Sequence, residues 1–173
     1  METALEQILT STYKDGMISY LAAHPEDFEE AIKLAISDKQ PYSWRASWLL
    51  WSCMEENDPR IKGYVKDIID TISEKPDSQQ RELLMILQKM DLNKEYEGLL
   101  FSHCVTLWES INKTPSIRHK AFAMIVKIAK KHPGLYNEVL FLTRSQFMNT
   151  LSPGVKRSIA KMIKDFSQKE KQK

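Results

Sequence analysis

The 173-residue chain is short of the residues that punctuate or cross-link a fold: five glycines, seven prolines and two cysteines. So few turn formers exclude a turn-rich β protein and disordered low-complexity sequence. Cys53 and Cys104 are not spaced as a metal or redox motif, so reduced thiols are expected rather than a bridge. No run of 18 apolar residues is available to span a membrane. Glycine-rich phosphate loops and the Gly-x-Ser-x-Gly elbow are missing. His24, His119 and His132 lack metal-ligand spacing, and the adjacent His103 and Cys104 diverge by ~100° on a helix, too far to act as a pair. The first residues, Met1 to Glu6, are acidic and lack the basic and apolar regions of a leader. A cytoplasmic protein is expected, with no cofactor, no metal, no catalytic residue and no enzymatic activity.

Acidic residues are scarce at one end only. Residues 1–57 carry four basic and ten acidic side chains, 58–113 eight and ten, and 114–173 thirteen and three. A net charge of +2 thus hides a net of −6 in the first third and +10 in the last. Such asymmetry implies an oriented electrostatic surface.

What the chain has in quantity is helical periodicity. No alternating strand pattern interrupts it. Four stretches repeat a proline followed by a basic residue: Pro41 to Arg45, Pro76 to Arg81, Pro115 to Arg118 and Pro153 to Lys156. Successive basic positions are 36, 37 and 38 residues apart. Three residues on stand Trp48, Leu84, Ala121 and Ile159; four on, Leu49, Met85, Phe122 and Ala160; six on, Trp51, Leu87, Met124 and Met162. A fixed period in the range of ~20–50 residues marks stacked supersecondary units. The pattern predicts one all-α domain of about four helix pairs, with the short connections that antiparallel neighbours require. Its parts are a capping segment over 1–23, with Gly16 as a weak point, repeats over 24–57, 58–92, 93–132 and 133–167, and a polar, frayed tail over 168–173.

These repeats resemble a known family. Asp38, Pro41 and Trp44-Arg45, and again Asn112, Pro115 and Ile117-Arg118-His119-Lys120-Ala121, look like HEAT repeats: an Asp or Asn in the turn, a proline, then a Val-Arg pair opening the second helix. The resemblance covers about residues 25–167 and implies a right-handed α–α superhelix of the HEAT/armadillo type. The second unit departs from the pattern, with Gln80 where an apolar residue is usual and one extra residue after Pro76. The chain is also similar to a group of short, uncharacterised bacterial helical proteins, some carrying the name adenylosuccinate lyase. The lyase loop, Ser-Ser-x-Met-Pro-x-Lys-x-Asn, is absent.

Three sets of residues are candidates for a site. Trp44, Trp48 and Arg45, with Trp51, suit stacking on a ring or holding a cation; because the tryptophans fill slots that are apolar in the other units, core packing is the favoured reading. Arg45, Arg81, Arg118 and Lys156 form a ladder whose favoured role is pairing with turn residues such as Asp38 and Asn112, the alternative being a ligand's carboxylate or phosphate. Opposite the apolar stripe lie His119, Lys120, Lys127 and Lys130 in the third unit and Arg157, Lys161 and Lys164 in the fourth; the equivalent outward positions earlier are Ala46, Leu50 and Cys53, then Leu83, Ile86 and Lys89. This face is either solvated or a surface for an acidic partner. The expected function is a monomeric, non-enzymatic interaction module that binds a protein or acidic peptide on its second-helix face, away from membranes. The alternative implied by the resemblance is a nucleic-acid-binding protein related to alkylated-DNA glycosylases, which use tryptophan and arginine around DNA. Against it, no carboxylate matches that family's catalytic one, and the acidic first third would repel an extended duplex.

Overall fold

Prolines and short polar side chains set where the helices begin. In the computed structural model, which describes residues 1–172, Pro59, Pro115 and Pro153 each occupy a first helical position, where the missing N–H costs nothing. Asp58, Thr114 and Ser152 immediately before them cap the freed N–H groups. Thr3 and Glu6 form a reciprocal capping box at the amino end.

The described residues are α-helical with short 3-10 turns and contain no strand. The helices gather in two compact units, Met1–Leu92 and Asn93–Lys173. The first holds α1 (Ala4–Ser11), α2 (Lys14–Ala23), α3 (Phe28–Ile36), α4 (Tyr42–Cys53), α5 (Pro59–Lys62), α6 (Val65–Thr71) and α7 (Asp77–Gln88). Here α3 lies along α4, α4 along α7, and α1 and α2 both lean on α4. The second unit holds α8 (Lys94–Glu109), α9 (Pro115–Ala129), α10 (Tyr136–Phe141), α11 (Ser145–Met148) and α12 (Pro153–Lys171). There α8 and α10 pack on α9, and α9 packs on α12. Each unit is therefore built of helix pairs whose second members are neighbours, the arrangement of an α–α superhelix.

The helices depart from the expected ones at four places. The amino-terminal segment breaks at Thr12 and Tyr13, not at Gly16. Gly16 lies inside α2, where a Cβ would come within 3.1 Å of the Thr12 Cβ, so its bareness leaves room for the turn that joins α1 to α2. The expected helix over 59–73 divides at Gly63 and Tyr64. The one expected over 134–151 divides near Thr143, whose hydroxyl donates to the Leu140 carbonyl at 2.7 Å and competes with the helical ladder. At the other end α12 continues through Lys171, so the polar stretch expected to fray is helical that far, while Lys173 lies outside the described residues.

The first unit closes over Leu5, Leu9, Ala31, Ile32, Ala46, Leu49, Leu50, Ile61, Ile69, Leu83 and Ile86, all buried. Buried charged groups in this unit are paired, Glu6, Lys75, Glu82 and Asp58 among them. Asp58 is buried and accepts hydrogen bonds from the Glu55 N–H at 3.1 Å, the Arg60 N–H at 3.0 Å, and Arg60 Nε and Nη2 at 3.0 and 2.8 Å. The Arg60 guanidinium also lies 3.5 Å from the centre of the Phe28 ring. Arg60 draws the Asp58 carboxyl down to about 2; burial opposes this, and the two backbone N–H groups reinforce it. Because the folded value is depressed, the stabilisation is complete above the ordinary aspartate value of 3.8 and disappears as pH falls through about 2. Asp58→Asn should cost about 2 kcal/mol at neutral pH. Denaturant melts of the two proteins should converge between pH 4 and pH 2, which tests the assignment.

Candidate functional site

Helix carboxyl ends leave carbonyls without partners, and this chain satisfies several of them with long side chains from neighbouring helices. Arg45 Nη1 donates to the Leu9 carbonyl near the end of α1 at 2.7 Å. Gln79 Nε2 donates to Ala35 and Ser37 at the end of α3, at 2.8 and 3.0 Å. Lys89 Nζ reaches Trp51 at the end of α4 at 2.8 Å. Gln80, the residue that breaks the repeat pattern, is buried and donates to the Ile72 carbonyl at 2.9 Å.

Arg118 is the most complete case. Only 1% exposed, it donates from Nε to the Trp108 carbonyl at 2.8 Å, from Nη1 to the Thr150 hydroxyl at 3.0 Å, and from Nη2 to the Phe147 carbonyl. Its guanidinium also lies 4.7 Å from the centre of the Trp108 ring. Burial pushes the guanidinium below its usual value, and the negative ends of α8 and α11 stand in for a counter-ion.

The ladder is thus structural at Arg118 and Arg45, but its partners are backbone carbonyls and, at Arg118, the Thr150 hydroxyl, rather than the turn acids and amides Asp38 and Asn112. Asp38 is taken by Lys75, at 2.7 Å, and Asn112 is exposed. Arg81 pairs with Glu82 at 2.8 Å. Lys156 is half-buried at the start of α12.

The tryptophans do not fill the core slots that the repeat assigns them. Trp44 is 37% exposed, and Trp48 and Trp51 are half-buried. On α4 the core side is made instead by Ser43, Ala46, Ser47, Leu49 and Leu50. Ala46 and Leu50, read as outward, are fully buried, as are Leu83 and Ile86 on α7. No apolar outward face therefore exists at these positions; they are the core.

What the tryptophans line is a cleft of about 460 Å³ between α2, α4 and α7, walled by Thr12 to Lys14, Met17, Trp44, Arg45, Trp48, Trp51, Arg81 and Glu82. Trp48 and Trp51 meet edge to face, with ring centres 6.2 Å apart. Lys14 Nζ is 4.9 Å from the Trp48 ring centre, and the Arg45 guanidinium 5.9 Å from that of Trp44. Glu82 is occupied by Arg81 and by the Trp51 indole N–H.

The basic face in the second unit is unevenly exposed. On α12, Arg157, Lys161 and Lys164 are exposed and fall within a ~60° arc at 100° per residue, opposite the buried Ile159 and Phe166. On α9, Lys120, Lys127 and Lys130 are half-buried. His119 shares a 2.7 Å hydrogen bond with the Ser158 hydroxyl, and so fastens α9 to α12 rather than standing out from the face. Asn93 to Lys173 carries fifteen basic and six acidic side chains, against ten and seventeen in Met1 to Leu92.

A further polar cluster escaped the sequence reading. Glu97 on α8 is buried and accepts from Lys131 at 2.9 Å and from His132 Nε2. Burial raises its carboxyl, but the hydrogen bonds from His132 and Lys131 outweigh it and hold the group below its ordinary value. The only sequence signal was an acidic residue on the core side of α8.

Cys104 is fully buried and Cys53 half-buried, both free thiols raised by burial. Among the described residues no group of three His, Cys, Asp or Glu is arranged for a metal ion, and no helix is long and apolar enough to cross a membrane.

Paired helices, second members stacked and carboxyl ends capped by side chains define an all-α helical repeat protein. The family model for the HEAT repeat domain matches residues 1–166, and the chain belongs to that family. HEAT repeats are commonly scaffolds for protein interactions and are generally non-enzymatic. No curated protein and no solved structure matches the chain.

Proposed function

We propose that the protein is a cytoplasmic, non-enzymatic interaction module that binds an acidic protein or peptide segment on the second-helix face of residues 93–173. The observation that carries this reading is the exposed arc of Arg157, Lys161 and Lys164 on α12, in a unit with a net charge of +9. Lys120 and Lys127 on the adjacent α9 extend the field. Like charges set side by side repel one another, and an anionic partner relieves that repulsion.

A fluorescent oligoglutamate peptide is the direct probe. Its binding should weaken as salt rises, because the Debye length falls from ~10 Å at 0.1 M to ~3 Å at 1 M. Reversing charge in the double variant Lys161→Glu, Lys164→Glu should weaken binding more than tenfold. The melting temperature should barely change, since both side chains are exposed. Salt-insensitive binding, or binding unaffected by the double reversal, contradicts the proposal. Tight binding of duplex DNA at physiological salt would favour the nucleic-acid reading instead.

A further inference from the structure

The cleft between α2, α4 and α7 is a separate feature, and its composition is unusual for an acidic unit. Met1 to Leu92 has a net charge of −7, yet the cleft walls carry Lys14, Arg45 and Arg81 against the single carboxylate of Glu82. That carboxylate is already engaged by Arg81 and Trp51. Among the described residues Lys14 and Arg45 have no carboxylate partner within ion-pair distance. Arg45 bonds one carbonyl through Nη1, and its Nε is buried without any partner, a cost a folded chain seldom bears without a reason.

The rings of Trp44, Trp48 and Trp51 line the same cleft, Trp44 exposed to water and Trp48 and Trp51 half-buried. Two observations therefore coincide at one place: an aromatic wall, and two cations that meet rings and a carbonyl but, among the described residues, no carboxylate. Neither is needed for the core, which α4 makes with its opposite side.

We infer that this cleft is a binding site for a short peptide segment in which an aromatic side chain stands next to a carboxylate. The ring packs among Trp44, Trp48 and Trp51, where offset or edge-to-face contact is favourable. The carboxylate takes a charge-assisted hydrogen bond from Arg45 or Lys14. The volume, about 460 Å³, lies within the range of a site for one bulky side chain and its neighbours. The net charge of −7 on residues 1–92 disfavours a long polyanion on this unit, which distinguishes a peptide anchor from a nucleic-acid strand. The inference is independent of the α12 face.

Three of the four tryptophans line the cleft, while Trp108 is buried in the other unit, so intrinsic emission reports the site directly. The probe is the acetylated, amidated pentapeptide Asp-Glu-Phe-Asp-Glu, titrated into the full chain. Fluorescence anisotropy of a labelled copy provides a second readout. Saturable binding should weaken at least tenfold when the peptide's Phe is replaced by Ala, and again when its acids become amides. Lys14→Glu and Trp44→Ala, both at exposed positions, should each weaken it at least tenfold while leaving circular-dichroism melts unchanged. The double variant Lys161→Glu, Lys164→Glu should bind as the parent does, which separates this site from the α12 face. Absence of saturable binding at millimolar peptide, equal binding of the Ala peptide, or loss only in the α12 variant would overturn the inference. Stronger binding of adenosine monophosphate than of the peptide would overturn it too, in favour of a nucleotide site.

Discussion

Arg118→Ala should destabilise the protein by about 3–5 kcal/mol, the range for removing one partner of a buried, charged hydrogen-bond network. The variant loses three donated hydrogen bonds at once, to the Trp108 and Phe147 carbonyls and the Thr150 hydroxyl. It also strands the carbonyls that close α8 and α11, and each buried acceptor left unmet costs about 1–3 kcal/mol. A chain of this size shifts its melting temperature by ~2–4 °C per kcal/mol. A fall of roughly 10 °C in a calorimetric scan is therefore the expected signature. Arg118→Lys should recover only part of the loss, because a single ammonium does not reach three acceptors in the fixed geometry of a guanidinium fork. A melting temperature unchanged in Arg118→Ala would contradict the capping role.

Trp108→Ala should cost a similar ~3–5 kcal/mol, the range for deleting a large buried aromatic side chain. Trp108 is fully buried, its ring centre lies 4.7 Å from that of Phe122, and its indole N–H donates to the Leu142 carbonyl at 2.8 Å. It therefore holds α9 on one side and the end of α10 on the other. Because the Arg118 guanidinium packs over the same ring, the two substitutions should not add. The double variant Arg118→Ala, Trp108→Ala should lose less than the sum of the single losses by about 1–3 kcal/mol. Additivity within ~0.5 kcal/mol would show that the ring and the guanidinium act independently.

These two residues also show how far the sequence was legible. The 37-residue step from Arg81 to Arg118, and the apolar residues after it, mark Arg118 as a repeated structural position. Burial followed from that placement. Its partners did not, because two of the three are main-chain carbonyls, which every residue carries and no sequence pattern distinguishes. Asn112, the partner that the repeat pattern suggests, is exposed, and the guanidinium closes helix ends instead.

The same distinction runs through the candidate site. On α12 the charge pattern could be read directly: Ile159 on the expected apolar stripe is buried, and Arg157, Lys161 and Lys164 opposite it are exposed. On α4 the inward side could not, because Trp44, Trp48 and Trp51 oppose Ala46, Leu50 and Cys53, and a helix apolar on both sides has no unique inward face. The repeat pattern chose the tryptophan side. Packing chose the other, since α3 and α7 close over Ala46, Leu49 and Leu50 and leave the bulkier rings along the cleft beside α2.

By itself, then, the sequence determined an all-helical repeat, the starts of its helices and the basic side of α12. Periodicity, proline position and charge are local properties, and they survive without any knowledge of neighbours. Tertiary structure alone decided the inward side of α4 and the union of Lys14, Trp48 and Glu82 around one cleft. Those depend on which surfaces compete for the same volume, and that competition is settled only when the helices meet.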